Sequence, residues 1–464
     1  MKKNAKSIWC RVLAGLLSIL MVLTLAACAG NGNTPAANEK PAPSENTDAA
    51  EGENNGNAAE ASGEKETLRV MIWGDATLYD QISDALKDDY PEFFNKYDVK
   101  MIVGGQGDNE VAEQMRLALA SNNSVADVVM LNYTQVPEFA EAGVLEDLSD
   151  VYAGYEDNLT HAAKILSEYK GQTVTVPNQI NSKLFYYRKS IFDQCGVDPT
   201  KWTTVDEMLA DAQKIYDQTG CYIMNCSQEQ GFAGCQYDMY LMFDVYDASF
   251  CDENGNYNCA SQEGLRKALE MLKKEFDSGL CYGSGDFTSD WQTALAEGKL
   301  IGEFTGSWFK LFIPGYAPDQ AGDWAACDWP DEIAKGSEAG GSVYVIPTFS
   351  EKKDVAKQWL QMYRLENKGV MDSFLTASRT PITLKEFDEI NQYGSDYLTN
   401  DYWMVEKNSY GDDFTIFNYT PKAMAEQAIM LGWTAQYFAG SIDVDTCLQG
   451  MEADMQSQIG NAYD

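Results

Sequence analysis

A chain of 464 residues is too long for one simple core, so two domains are expected, and 45% hydrophobic content is ample to pack them. A formal net charge of -37 repels phosphate backbones and anionic lipid heads, which sets nucleic-acid binding aside. The acidic excess reads as a solvated surface rather than as the mark of a cationic ligand. The single histidine, His161, leaves no material for a histidine-based triad or a multi-histidine metal site.

Residues 1–28 read as a targeting segment. Lys2, Lys3, Lys6 and Arg11 precede the apolar run Val12–Ala27, interrupted only by Gly15, Ser18 and Thr24. A basic start, an apolar stretch of this length and small residues before the cut are the parts of a secretory signal. Its ending, Leu25-Ala26-Ala27-Cys28, resembles a bacterial lipobox, which implies that Cys28 is lipidated and becomes the mature N-terminus. Residues 29–65, rich in Asn, Ala, Glu, Gly and Pro and without an aromatic residue, bury too little to fold. As a flexible tether they span roughly 35 Å.

From Thr67 the pattern changes. Leu68–Trp73 reads as a buried strand closed by Gly74-Asp75, and a helix of about Tyr79–Tyr90 follows, stopped by Pro91. Val99–Val103 is a second strand, Glu110–Ser121 an amphipathic helix, and Ala126–Leu131 a third strand. Alternating strands and helices imply a parallel sheet flanked on both faces, with ligands at the carboxyl ends of its strands. Those ends are Trp73-Gly74-Asp75, Gly104–Asp108 and Asn132-Tyr133-Thr134. Gly104-Gly105-Gln106-Gly107 lacks the Gly-Lys-Ser/Thr ending of a phosphate loop and reads as a turn.

The stretch Thr173–Asp206 carries the most information. A strand through Val174 and Val176 ends at Pro177, which lacks an amide donor. The polar loop Asn178-Gln179-Ile180-Asn181 offers amide side chains that both donate and accept hydrogen bonds, as a neutral polyhydroxylated ligand requires; it also suits an ordinary loop. Leu184–Tyr187 is a second strand, and Lys189–Cys195 a short helix. The run Pro177, Tyr187, Phe192, Gly196-Val197, Pro199, Trp202-Thr203 and Asp206-Glu207 resembles the signature of family 1 extracellular solute-binding proteins, the maltose-binding-protein-like receptors of ABC importers. In that family the stretch crosses from the first lobe into the second and lines the ligand cleft. Arg188, where the family often has Asn, is a departure.

The resemblance extends to the C-terminus. Gly143–Leu148 fits the family pattern, and so does Trp291–Phe309. The latter reads as a helix stopped at Gly298, a strand Leu300–Phe304, and then Gly306-Ser307-Trp308. The family places that Trp in the cleft, stacked on a sugar face, while spacing alone favours a core Trp at a strand end. Val205–Gln218, Gln262–Ser278 and Ser350–Leu365 read as helices, Asn254-Gly255 as a hairpin turn, and Gly340–Pro347 as a strand returning to the first lobe. Ser378-Arg379-Thr380-Pro381 resembles the crossing back, and Tyr402-Trp403 and Asn418–Pro421 are further cleft candidates. Eleven cysteines include Cys10 and Cys28; the nine others are an odd set from which no pairing follows.

The resemblance thus implies an α/β, two-lobe periplasmic-binding-protein-like fold of type II. Its first lobe is residues 66–172 plus about 335–377, and its second 173–334 plus about 378–464. The function implied is that of a monomeric extracellular receptor, lipid-anchored on Cys28 and facing outward from the cell membrane (periplasmic if there is an outer membrane). It would bind a carbohydrate, an oligosaccharide above all, and hand it to a permease, with no cofactor and no catalysis. Trp308 would stack on the ligand; Asn181, Gln179, Asn132 and Asp75 would bond its hydroxyls; Trp73, Trp291, Arg379 and Trp403 complete the candidates. A polyamine or peptide receptor is the near alternative, distinguished by an acidic cluster facing aromatic rings. A surface glycoside hydrolase is the remote one, and would need two facing carboxylates.

Overall fold

The structure is a computed structural model that describes residues 65–121, 126–225, 236–334, 336–366, 382–386, 397–399 and 402–464. Its strands, in chain order, are β1 (Glu66–Trp73), β2 (Tyr97–Gly105), β3 (Val128–Asn132), β4 (Val176–Gln179), β5 (Lys183–Arg188), β6 (Gly302–Gly306), β7 (Trp324–Cys327) and β8 (Ser342–Val345). A two-residue pairing, Glu168-Tyr169 with Gln172-Thr173, stands apart from them.

The first lobe is built on a five-stranded sheet in the order β2-β1-β3-β8-β4. β1, β2 and β3 are parallel, as alternating strands and helices require, but β8 runs antiparallel to both its neighbours. The sheet is therefore mixed. Crossover helices set the direction only of strands that they join, and β8 arrives from the other lobe. Leu68, Val70 and Ile72 from β1, Val128–Leu131 from β3 and Val343–Val345 from β8 form the core, closed by Trp359 and Tyr363.

β4 departs from expectation. It runs through Pro177 to Gln179 instead of ending at the proline, and Pro177 is paired with Val343. β4 is an edge strand, so the missing amide costs no ladder bond. Buried Arg364 donates from Nε to the Pro177 carbonyl at 2.9 Å. The strand lies in the first sheet, whereas the sequence reading opens the second lobe at residue 173; the crossing follows Gln179. The return near 378 also falls differently. Ile382 packs in the first core and accepts from the Thr160 amide at 3.1 Å, and Thr383 bridges Leu159.

The second lobe holds a three-stranded antiparallel sheet, β6-β5-β7. Successive β5 side chains face opposite ways, the period of an extended chain. Phe185 and Tyr187 enter one core with Phe192, Trp202 and the helices Val205–Thr219 and Glu263–Asp277. Leu184 and Tyr186 enter another with Trp291, Phe309 and Trp324. Smaller differences occur at punctuation. Helix Thr77–Ala85 ends early, and Pro91 opens a new helix, Pro91–Lys96, because proline at a first helical position loses no hydrogen bond. The helix expected at Ser350–Leu365 is Lys353–Leu360, continued as a π-helix over Gln361–Glu366. The seven described cysteines among the nine are free thiols; Cys226 and Cys235 lie outside the described residues.

Candidate functional site: a cleft between the lobes

Three segments distant in sequence meet where the lobes join. Ile180–Ser182 leaves β4, Ser337–Gly341 precedes β8, and Ser409–Thr415 follows helix Tyr402–Ser409. Ser182 bridges Glu338, and Ser337 bridges Thr415. The Ala339 amide donates to the Asn181 carbonyl, and Asn181 Nδ2 donates to Gly340 O at 3.1 Å. Tyr410 Oη donates to the Ile180 carbonyl at 2.7 Å and lies 2.8 Å from Glu406 Oε1. The backbone at the junction is thus largely hydrogen-bonded, as buried backbone must be.

A cleft continuous with solvent opens beside this junction. Its first-lobe wall is Asp108 and Asn109, at the start of helix Asp108–Ser121, with Asn132, Tyr133 and Thr134 at the carboxyl end of β3. Its second-lobe wall is Tyr240, Tyr419, Met424 and Gln427, and Glu338 and Gly340 lie between. The strand ends named from the sequence supply most of the first wall, as the geometry of parallel sheets demands. Asn132 Oδ1 accepts the Thr134 amide at 3.0 Å, and Gln135 Oε1 accepts the Asn132 amide at 3.2 Å, so this loop is pre-shaped. Tyr133 donates from its hydroxyl to the Glu168 carbonyl at 2.6 Å. The Tyr240 and Tyr419 rings stand 5.2 Å apart, within the range of favourable aromatic packing.

Neither carboxyl in the cleft has its ordinary acidity. Burial pushes Asp108 up, against its own and the Asn109 backbone amides. Burial pushes Glu338 up to about 8, against the Gly341 and Asn181 backbone amides. No lysine or arginine is among the described lining residues. The wall is therefore made largely of amides, hydroxyls, phenols and carboxyls that burial makes weaker acids. It can hydrogen-bond a polar, uncharged ligand, with Met424 an apolar part of the lining.

Of the residues singled out from the sequence, Asn132 lines this cleft. Asn181 is a buried junction residue, with its side chain engaged by Gly340. Gln179 ends β4, partly buried beside Ser342. Trp308 is partly buried; its Nε1–H donates to the Ala339 carbonyl at 3.1 Å, one residue from both Glu338 and Gly340, and its ring stacks on Phe287 at 5.4 Å. Gly306 makes this possible, since a Cβ there would run into the indole. Trp73 packs against the first core, and Asp75 is exposed, accepting from the Thr77 amide at 2.9 Å. Trp291 is fully buried, with its Nε1–H donated to Glu303 at 3.2 Å, so it is a core residue in place of the expected cleft residue. Arg379 lies outside the described residues, and so does the side chain of Trp403. Sequence reasoning singled out neither Tyr240 nor Glu338; it did mark Tyr419, through the run Asn418–Pro421.

Two lobes, each around its own sheet, joined by several crossings and parted by a polar cleft, define a solute-binding protein. The model of the bacterial extracellular solute-binding protein family matches residues 88–398, and the chain belongs to that family. It is similar to an arabinooligosaccharide-binding protein of Halalkalibacterium halodurans, 21% identical over 312 residues, 65% of this chain and 68% of that one. It is also similar to the diacetylchitobiose binding protein DasA of Streptomyces coelicolor, 24% identical over 321 residues, 64% of this chain and 69% of that one. The fold matches the ABC transporter associated binding protein from B. animalis subsp. lactis Bl-04, solved in complex with beta-1,6-galactobiose. The TM-score is 0.68 at 20% identity, over 86% of this chain and 99% of that one.

Proposed function

We propose that this protein is the carbohydrate receptor of an ABC importer, tethered through a lipid on Cys28. It holds an oligosaccharide in the inter-lobe cleft and presents it to the permease. The observation that carries this reading is the lining: Asn109, Asn132, Thr134 and Gln427 can pair with sugar hydroxyls, and Tyr133, Tyr240 and Tyr419 offer ring faces to apolar C–H surfaces. Relatives named for arabinooligosaccharide and diacetylchitobiose support it. The protein's part is binding and closure, with no bond broken.

A second reading, a cationic solute such as a polyamine, draws on Asp108 and Glu338 lining the same cleft as three tyrosines. Burial raises both carboxyls, and Glu338, pushed up to about 8, offers little fixed negative charge near neutral pH, which favours the uncharged ligand.

Thermal melting against arabinotriose, N,N'-diacetylchitobiose, β-1,6-galactobiose and maltotriose, with spermidine and a tripeptide as controls, tests the reading. A ligand at a hundred times its Kd adds about 2.7 kcal/mol, or about 3 °C for a unit of this size. A shift with a glycan recovered intact is the expected result. A shift with spermidine alone discards the sugar, and a consumed glycan discards the purely binding role.

A further inference from the structure

Away from the junction, the lobes also meet at Lys170 and Tyr463. Lys170 stands in the two-residue turn between Glu168-Tyr169 and Gln172-Thr173, and Gly171 is the other residue of that turn. Both have a positive φ, 48° for the lysine and 75° for the glycine. Glycine adopts that backbone freely, whereas a lysine is strained in it. A turn of this length favours Asn-Gly, so its own chemistry gives no reason for a lysine.

The side chain supplies one. The Lys170 ammonium lies over the Tyr463 ring, 4.0 Å from its centre, and 5.5 Å from the centre of the Tyr169 ring. It also donates to Glu141 Oε1, which accepts from the Tyr169 hydroxyl at 3.1 Å. Tyr169 packs against the first-lobe core and Tyr463 against the second. One cation is thus held between a ring of each lobe, in the geometry that aromatic faces favour.

Each partner is tied to its own wall of the cleft. The Tyr133 hydroxyl, from the first wall, donates to the carbonyl of Glu168 in the hairpin that presents Lys170. On the other side, Asn418, the neighbour of the cleft residue Tyr419, donates from Nδ2 to the Tyr463 hydroxyl at 3.5 Å. The Ala462 amide donates to the Gly255 carbonyl and Asn461 Nδ2 to the Asn254 carbonyl, each at 2.9 Å. A Cβ on Gly255 would run into Asn461 and the Tyr463 ring. A hinge motion that draws the wall of Tyr133 from the wall of Tyr419 therefore takes Lys170 off Tyr463.

We propose that Lys170 and Tyr463 form a latch between the lobes. The lysine cation on the tyrosine face stabilises the closed arrangement and so sets how long a solute is held, without touching it. This goes beyond the carbohydrate reading, since it requires only a solute on which the lobes close. Such a contact at a partly exposed site shifts the closed-to-open ratio by about two- to fivefold. A ligand leaves when the lobes open, so the effect falls on dissociation.

The experiment measures association and dissociation rates of the four glycans named above for the wild type, K170N, K170R, Y463L, Y463F and K170N/Y463L. Small-angle scattering of each protein without ligand accompanies it. Asn suits the turn better than Lys, so the melting temperature of K170N should not fall. K170N nevertheless releases the glycan about two- to fivefold faster, with association unchanged. Y463L does the same, and the double variant is no faster than either, as a single shared contact requires. K170R keeps the cation and Y463F the ring, and both hold the wild-type rate. Without ligand, K170N and Y463L have a larger radius of gyration than the wild type and K170R. A merely structural role would not separate Asn from Arg at an unchanged melting temperature. Equal dissociation rates in the wild type and K170N overturn the latch and leave the carbohydrate reading standing. Additive effects of K170N and Y463L also overturn it. If no glycan binds, the carbohydrate reading falls, and the ligand-free radii decide the latch: equal radii overturn it.

Discussion

Gly341 owes its lack of a side chain to one residue far from it in the chain and one close by. A Cβ there would run into the Gln179 carbonyl and the Glu338 carboxyl. The carbonyl belongs to the β4 edge and cannot yield. Gly341→Ala should cost about 1–3 kcal/mol, read as a lower urea midpoint at unchanged slope. Glu338 itself makes stability depend on pH. Its folded pKa of about 8 lies above the ordinary 4.5, so the unfolded chain gives up its proton first as pH rises. Stability from this group is complete below about pH 4.5 and declines until about pH 8, by several kcal/mol in order of magnitude. Glu426 is raised by burial too and adds in the same direction. The melting temperature of the unliganded protein should therefore fall between pH 5 and pH 8, and Glu338→Gln should flatten the curve.

Among elements, the pair Lys310–Glu406 joins two second-lobe helices, Phe309–Tyr316 and Tyr402–Ser409. Nζ lies 2.8 Å from Oε2, and the two side chains are 8% and 0% exposed. Burial pushes Lys310 down, against the pull of Glu406. Lys310→Met strands a buried carboxylate and should cost about 3–5 kcal/mol by urea unfolding, whereas Lys310→Met with Glu406→Leu should recover most of it. Helix Val205–Thr219 opens with a capping box: Thr204 accepts the Glu207 amide at 3.2 Å, and the Glu207 carboxylate reaches back. Thr204→Ala should cost about 1 kcal/mol. β1, the Gly298 stop and the Asn254-Gly255 turn were legible in the sequence, because each depends on neighbours a few residues away. β7, Trp-Ala-Ala-Cys, was not: four buried residues without alternation carry no strand period, and only pairing with β5 defines them.

For the molecule as a whole, the cleft has walls from both lobes, so a ligand that touches both favours the closed arrangement by its differential affinity. Small-angle scattering should show a smaller radius of gyration with a bound glycan than without. Tyr410→Phe removes the hydroxyl shared by Ile180, Ser307 and Glu406 across the junction, and should lower the melting temperature and change the size of that contraction.

The strand–helix alternation and the run from Pro177 to Glu207 were enough to define the class of protein, because alternation and turn chemistry are local codes. Which residues make the site was decided by tertiary structure. Trp291 and Trp308 look alike in the sequence, both beside short helices and near glycines, yet packing sends one into the core and leaves the other partly buried next to the junction. Glu338 is one of 71 acidic residues, and nothing nearby in sequence marks it. Its burial comes from Ile180–Ser182, Ser337–Gly341 and Ser409–Thr415 closing together, and desolvation is a property of that enclosure, not of the residue.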